Sequence, residues 1–237
     1  MQPTYLPWLG YFDLIDQSTI FVFLENVQFE KRSWQQRNQI RTPKGLEWLT
    51  IPVNVKGRYN QLVREVEIVQ SSAFPHDHIR AIEFYYRRAP YFNNYFPKLK
   101  EILTEEVTLL CKLTIRLIRW IASEIGINAK FELGSQFPAH GPRSELLVDI
   151  CKAVDAHRYL SPIGSAAYLS TEYEIFHQNN IEVLFQNYDH PEYPQVYQPF
   201  IPYASAIDLL FNHGSKSLDV IRSGRKEPLT LLDILES

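Results

Sequence analysis

Glycine is scarce in this 237-residue chain: nine residues, against 15 prolines. Average usage is about 7% glycine and 5% proline, so the shortage falls on the residue that phosphate-cradling loops depend on. Neither G-x-G-x-x-G nor G-x-x-x-x-G-K-S/T occurs, which excludes the two common glycine-rich phosphate loops. There is no G-x-S-x-G, so a serine nucleophile on a strand-to-helix elbow is not expected. No D-x-D carboxylate pair is present to hold a metal-bound sugar diphosphate. Cysteine is limited to Cys111 and Cys151, each inside an apolar helical pattern, and two so placed make neither a disulfide scaffold nor a zinc site. The longest purely apolar run is Ile20–Leu24, far short of the ~20 residues of a membrane span. The start carries no basic n-region and no apolar h-region, so no export signal is expected and a reducing cytoplasm is the expected setting. Charge is nearly balanced, 24 Lys+Arg against 27 Asp+Glu for a net −3. Wholesale nucleic-acid binding by charge alone is thereby ruled out.

Aromatic residues are what the chain has in quantity: 14 Phe, 14 Tyr and 4 Trp. Many sit among prolines in two stretches, Tyr5, Trp8, Tyr11 and Phe12 near the start and Tyr188, Tyr193, Tyr197, Phe200 and Tyr203 near the end. Aromatics stiffened by proline suit either a sugar- or base-binding wall or plain core packing.

Periodicity supplies the elements. Trp8 to Ile15 reads as a short helix after Pro7. Ile20–Val27 reads as a buried strand, and Leu46–Val53 and Leu62–Val69 as two more. Ser72 to Arg88 begins with Pro75 and Asp77 in a helical first turn. Apolar residues recurring at three and four predict one helix over Leu99–Ile125, closed by Gly126 and roughly 40 Å long. SELLVDICKAV from Ser144 is a further helix, followed by a strand at Tyr159–Ile163, a helix opened by Gly164-Ser165, and a strand at Ile181–Phe185. That β-α-β grammar implies parallel strands with a right-handed crossover. Ala204–His213 begins a helical tail. The expected fold is α/β, a mixed and mainly parallel, Rossmann-like sheet in one body over 1–237. It would comprise an N-terminal sheet half (1–70), a helical part (71–143) and a second β-α-β half (144–237).

Residues 31–44 hold Lys31, Arg32, Arg37, Arg41 and Lys44 and no acid. Arginine forks bind phosphate in two-point fashion, and ligands of open α/β sheets sit beyond the carboxyl ends of strands; the alternative is a solvated charged loop. Trp34, Gln35, Gln36 and Asn38 lie between those cations, able to stack on a sugar or base or to pack the loop. Histidines at i and i+2, as in His76-Asp77-His78, face different sides of a helix. No spacing nominates a third ligand among His140, His157, His177, His190 and His213, so no metal site is expected. A general base or substrate contact is the better use of one of the pair. Gly164-Ser165 offers helix N–H groups to an anion or simply makes a tight turn. His190, Tyr193 and Gln195 lie in a proline-stiffened loop.

The strings QPTYLPWLGYF, QFEKRSWQQRNQI and WLTIPV, then HIRAIEFYYRRAPYF, SELLVDI, YLSPIGSAAYL, HPEYPQ and ASAIDLLFNHG, resemble the WbqC-like protein family in matching order over nearly the whole chain. Members occur among genes for bacterial surface polysaccharide, notably O-antigen clusters, so the resemblance implies a role near activated or amino sugars. Its family-like polar positions are Gln2, Tyr5, Arg37, Asn38, His78, His190, Tyr193, Gln195, Ser205, Asp208 and Asn212. Two departures are Glu25, where Asp is expected, and Pro162, where Gly is expected before Ile163-Gly164; the second weakens the anion reading of that turn. The opening Pro-x-x-Gly-aromatic turn also resembles the front of pantothenate synthetase-type adenylating enzymes, a nucleotidylyltransferase-like fold. Here Trp8 and Tyr11 stand where those enzymes carry two histidines. That likeness implies a buried strand of about six residues ahead of Gln2.

The expectation is therefore acyl or aminoacyl transfer to an amino-sugar nucleotide, with ATP a candidate co-substrate. Arg32 and Arg37 would hold phosphate, Gln2 and Asn38 orient the substrate, and His78 or His190 take the amine proton. Tyr5, Trp8, Tyr11, Tyr193, Gln195, Ser205, Asp208 and Asn212 would complete the binding surface. The rivals are a non-catalytic module binding a nucleotide sugar, another phosphorylated small molecule or a partner enzyme, and a metal-independent glycosyltransferase. A homo-oligomer is compatible with each.

Overall fold

The computed structural model describes residues 1–139 and 141–236; His140 lies outside them. Helix α1, Leu9–Asp16, follows Trp8 and buries every residue from Leu9 to Ile15. Strand β1 is Ile20–Phe23, half the predicted length. Next comes a hairpin of β2, Arg37–Thr42, and β3, Gly45–Thr50, in the antiparallel register Arg37↔Thr50 to Thr42↔Gly45. β3 falls in the predicted Leu46–Val53 strand, but β2 lies in the segment read as a basic stretch. Its buried positions are the polar Asn38, Arg41 and Thr42 beside a single apolar Ile40, so it shows no apolar alternation.

Leu62–Val69 is not a strand. The Glu65 carboxylate accepts the Leu62 N–H at 2.9 Å and the Gln61 amide donates to the Glu65 carbonyl at 2.8 Å. These bonds close a 3-10 turn at Val63–Glu65. Helix α2 is His76–Tyr86, inside the predicted span. The single long helix is broken into α3, Phe92–Thr104, and α4, Leu110–Glu124. Residues 105–109 run extended: Ile68 N–H donates to the Thr108 carbonyl and Leu110 N–H to the Val66 carbonyl, both at 2.8 Å. β-branched Val107 and Thr108 lower helix propensity only slightly; it is the backbone pairing with residues 66–68 that breaks the helix.

Strand β4, Lys130–Leu133, pairs parallel with β1. Helix α5, Ser144–Ala153, leads to β5, Arg158–Ser161; α6, Ala166–Thr171, and α7, Tyr173–Gln178, then return the chain to β6, Glu182–Phe185, parallel to β5. The predicted β-α-β unit is there. Helices α8, Ala206–His213, α9, Ser217–Ser223, and α10, Leu231–Leu235, follow. The class is α/β, and the strands group as two parallel pairs and one antiparallel pair. The larger apolar cluster joins α1, β1, the hairpin, α2 to α4 and α8. A smaller one fills the β5–β6 unit around Leu169, Phe176 and Phe185. No described helix is long and apolar enough to cross a membrane.

A polar clamp ties α1 to the far end of the chain. Arg225 Nε donates to Asp13 at 2.7 Å, Arg222 grips Asp16 through two nitrogens at 2.9 and 2.8 Å, and Arg225 also reaches Asp16. Gln186 Nε2 donates to Asp13 and to the Gly10 carbonyl. Burial works against the Asp16 charge, but the arginine hydrogen bonds outweigh it and hold the carboxyl below its ordinary value.

Candidate functional site

His190 stands inside an aromatic wall. Trp8 stacks beside it at 6.1 Å between ring centroids, Tyr203 meets it edge-on at 5.1 Å, and Tyr193 and Phe200 lie at 6.2 and 5.8 Å. Tyr188 meets the Trp8 indole edge-on at 5.8 Å. The backbone brings these stretches together: Trp8 bridges Ser205 in antiparallel fashion, and Ala206 N–H donates to the Pro7 carbonyl at 2.8 Å. His190 Nδ1 lies 2.9 Å from the Pro191 carbonyl, whereas Nε2 is buried without a partner. A carbonyl only accepts, so Nδ1 carries the hydrogen and Nε2 presents a bare lone pair. Burial lowers the pKa of the ring, keeping it neutral.

Gly10 makes the wall feasible. A Cβ there would fall 2.3 Å from carbons of the Trp8 ring. Gly10→Ala should therefore push the indole off the first turn of α1, shift its emission relative to a Trp8→Phe control, and cost about 1–3 kcal/mol of stability. Fluorescence and thermal melting check both effects.

Behind the wall lies a buried polar chain. Asp208 Oδ2 accepts from the Tyr193 hydroxyl at 2.8 Å and from Gln195 Nε2 at 3.0 Å; Oδ1 has no hydrogen-bond donor, though Tyr86 also approaches the carboxylate. Gln195 Oε1 accepts from Arg41 Nε at 3.3 Å, and Arg41 Nη2 donates to the Pro199 carbonyl at 2.7 Å. Arg41 is only 1% exposed, so this cation of the basic segment faces inward.

His78 differs from His190. Its Nε2 faces the Thr50 carbonyl at 3.2 Å, so its Nδ1 accepts from the Tyr5 hydroxyl at 2.9 Å. Both nitrogens are spent, and burial lowers its pKa to about 4.

Burial raises Asp208 to about 6, against hydrogen bonds from Tyr193, Tyr86 and Gln195. The folded Asp208 holds its proton longer than the unfolded chain, so its contribution to stability is full below about 4 and lost as pH rises through about 6. His78 runs the other way: its contribution is full above 6.5 and lost as pH falls toward 4. Asp208→Asn should leave the histidine slope unopposed, with stability climbing from pH 4 to 6.5 more steeply than in the wild type. Urea midpoints across that range check it.

The N-terminal loop is bound to the segment that opens the hairpin. Tyr5 N–H donates to the Trp34 carbonyl at 3.0 Å, Asn38 Nδ2 to the Leu6 carbonyl at 2.8 Å, and Gln35 Nε2 to Gln2 Oε1 at 2.7 Å. Tyr11 donates to the Gln2 carbonyl at 3.0 Å, and the Ser205 hydroxyl caps α8. Tyr5, Tyr11, Asn38, Ser205 and Asp208 are thus buried and held by internal partners. Asn212 donates to the Asp208 carbonyl at 2.7 Å.

Toward solvent, the Arg37 guanidinium lies 4.2 Å over the Trp48 ring, and Trp34 packs on Trp48 at 5.2 Å. Arg37 Nε is buried without an acceptor. Lys31 covers the Tyr59 ring at 5.5 Å, and Arg32 adopts a positive φ of 59°. Trp48 escaped the sequence reading. The signal was Thr42-Pro43-Lys44-Gly45, a turn with Pro second and Gly fourth, which sets Trp48 opposite Gln39 and diagonal to Arg37.

A shallow cleft of about 280 Å³ lies elsewhere, lined by Arg143, Ser144, Glu145 and Glu172; it contains no residue singled out in the sequence for binding. Among the described residues, no group of three or more His, Cys, Asp or Glu is placed to hold a metal ion.

A model of the WbqC-like protein family matches residues 2–220. A protein of Mycobacterium tuberculosis (strain ATCC 25618 / H37Rv) described as uncharacterized protein Rv1507c is 35% identical over 228 residues, 95% of this chain and 97% of its own length. No solved structure matches significantly. The family match runs from Gln2 to Val220 in α9 and takes in the His190 wall, the buried Asp208 chain and the Arg37 corner: the chain belongs to the WbqC-like protein family.

Proposed function

We propose that this protein forms an amide bond, transferring an acyl or aminoacyl group to the amine of an amino-sugar nucleotide during assembly of a bacterial surface polysaccharide such as O-antigen, in the cytoplasm. The carrying observation is His190, neutral, anchored through Nδ1–H and bare at Nε2 beside an aromatic wall. An amine attacking an activated acyl carbon, an acyl adenylate made with ATP or a thioester, forms the C–N bond. It expels AMP or the thiol and must lose a proton. His190 Nε2 is the group to take that proton, whereas His78 has no free nitrogen. The wall of Trp8 and Tyr203 supplies flat faces for a sugar ring, and Arg37, with Arg32 nearby in sequence, supplies charge for phosphate.

The test is a panel of dTDP- and UDP-amino sugars with ATP, amino acids and acyl donors, read by mass spectrometry. A product heavier by the acyl group supports the reading, and no product in any combination refutes it. The rival, a non-catalytic nucleotide-sugar module, is favoured by one observation: His190 Nε2 is covered, and the described cleft lies away from it. It predicts binding with no turnover until a partner enzyme is added.

A further inference from the structure

We infer that the corner made by Trp34, Trp48 and Arg37 is the seat of a nucleoside diphosphate, with the base on the tryptophans and the diphosphate on Arg37, Lys31 and Arg32. The inference rests on the proposed function in one respect: it places the nucleotide of that substrate, and so fixes which way the substrate lies.

Three observations carry it. Trp34 and Trp48 are 49% and 43% exposed although packed on one another. Among the described aromatics only Tyr59, Phe84 and Tyr203 are comparably exposed, and a flat face presented to water suits stacking on a base. Arg37 lies over the Trp48 ring, which holds the guanidinium plane in place, yet its Nε–H is buried with no acceptor. A buried donor left unmade is costly, and a phosphate oxygen approaching the fork would satisfy Nε–H together with an Nη–H. Finally, Lys31, Arg32 and Arg37 form no ion pair with any described residue, as is also true of Arg64, Arg87, Arg88 and Arg119, and they lie in a stretch, residues 31–44, that holds no acid. Arg37 against the Trp48 ring, with Lys31 and Arg32 just ahead of half-exposed Trp34 in sequence, matches an anion with an aromatic head.

The backbone then gives a direction. Gln39 pairs with Trp48, its carbonyl accepts Ser205 N–H at 2.8 Å, and Ser205 bridges Trp8. From the chain of Trp48 to that of Trp8 is three strand spacings, about 14 Å. A nucleotide sugar laid along this path, base on Trp34, would bring its sugar to Trp8 and His190.

Binding of UDP, dTDP and ADP to the intact protein tests the site with no donor or turnover, by calorimetry at two salt concentrations. Uridine, inorganic pyrophosphate and a 12-residue oligouridylate serve as controls. At least one nucleoside diphosphate should bind, with uridine and pyrophosphate each at least about tenfold weaker. Trp34→Ala should weaken binding about tenfold. Arg37→Ala should weaken it about tenfold or more and flatten its salt dependence, and Arg37→Lys, which keeps charge but loses the fork, should fall between. If a variant melts early, Trp48→Phe and Lys31→Ala give the same readout. No binding by any of the three nucleotides overturns the inference. So does binding indifferent to Trp34 and Arg37, or oligouridylate binding about tenfold tighter than UDP, which would mark a nucleic-acid platform. Nucleotide binding lost in Trp34→Ala without any product in the panel would sink the amide-forming reading alone; product formation untouched by Trp34→Ala would sink this one alone.

Discussion

Arg41→Met should lower the melting temperature by about 10 °C, among the largest effects of any single side chain here. Arg41 is 1% exposed and Asp208 is fully buried. Their charges face one another through Gln195, whose oxygen takes the Arg41 Nε–H and whose amide nitrogen donates to Asp208. The Arg41 backbone N–H also donates to the Tyr86 hydroxyl at 2.8 Å. Methionine fills most of the volume but leaves the carboxylate without its cation and the Pro199 carbonyl without its donor. Removing one partner of a buried pair costs about 3–5 kcal/mol, and a chain of this size loses about 2–4 °C per kcal/mol. Adding Asp208→Asn to Arg41→Met should cost less than the sum of the two single changes, because the asparagine carries no charge to strand. Additive losses would show that the two are not coupled through Gln195.

His190→Asn should lower turnover in the proposed amide-forming reaction by about 10²–10⁴-fold, with folding and nucleotide affinity unchanged. Asparagine is short enough to keep a donor near the Pro191 carbonyl while removing the bare Nε2. In the wild type, kcat/KM should rise with pH through a midpoint below 6.5, since burial lowers the pKa of the ring, and that limb should vanish in the variant. A full-rate variant, or an unchanged acid limb, would pass the proton-accepting role to another group. His78 would be a poor heir, with both nitrogens engaged.

Much of the frame was legible where apolar spacing alone decides it: α1, α5 and the β5–β6 crossover follow the patterns in LGYFDLI, SELLVDI and IEVLF. The failures share a cause. In β2 the inward side chains are Asn38 and Arg41, satisfied by the Leu6 and Pro199 carbonyls, so an interior strand has the composition of a basic loop. At 105–109 the three-and-four repeat runs through unbroken, yet a backbone pairing with residues 66–68 overrides it; nothing local announces a partner forty residues away. The site shows the same division. His190, Tyr193, Gln195, Asp208 and Trp8 were individually visible and do meet. Their assignment to layers was not: Gln195 and Asp208 lie behind the wall, Trp8, Tyr193 and Tyr203 in it, and sequence order carries no depth.

The clamp on α1 has a bearing on how the chain is made. Asp13 is fully buried, and its arginine lies 212 positions later; the one that grips Asp16 with two bonds comes 206 later. During synthesis α1 therefore carries carboxylates whose cations are translated 206 and 212 positions later. Until Arg222 and Arg225 are made, burying the α1 carboxylates costs their desolvation without the cations that offset it. The polar side of α1 is thus completed only once residue 225 has been made, 212 positions after Asp13.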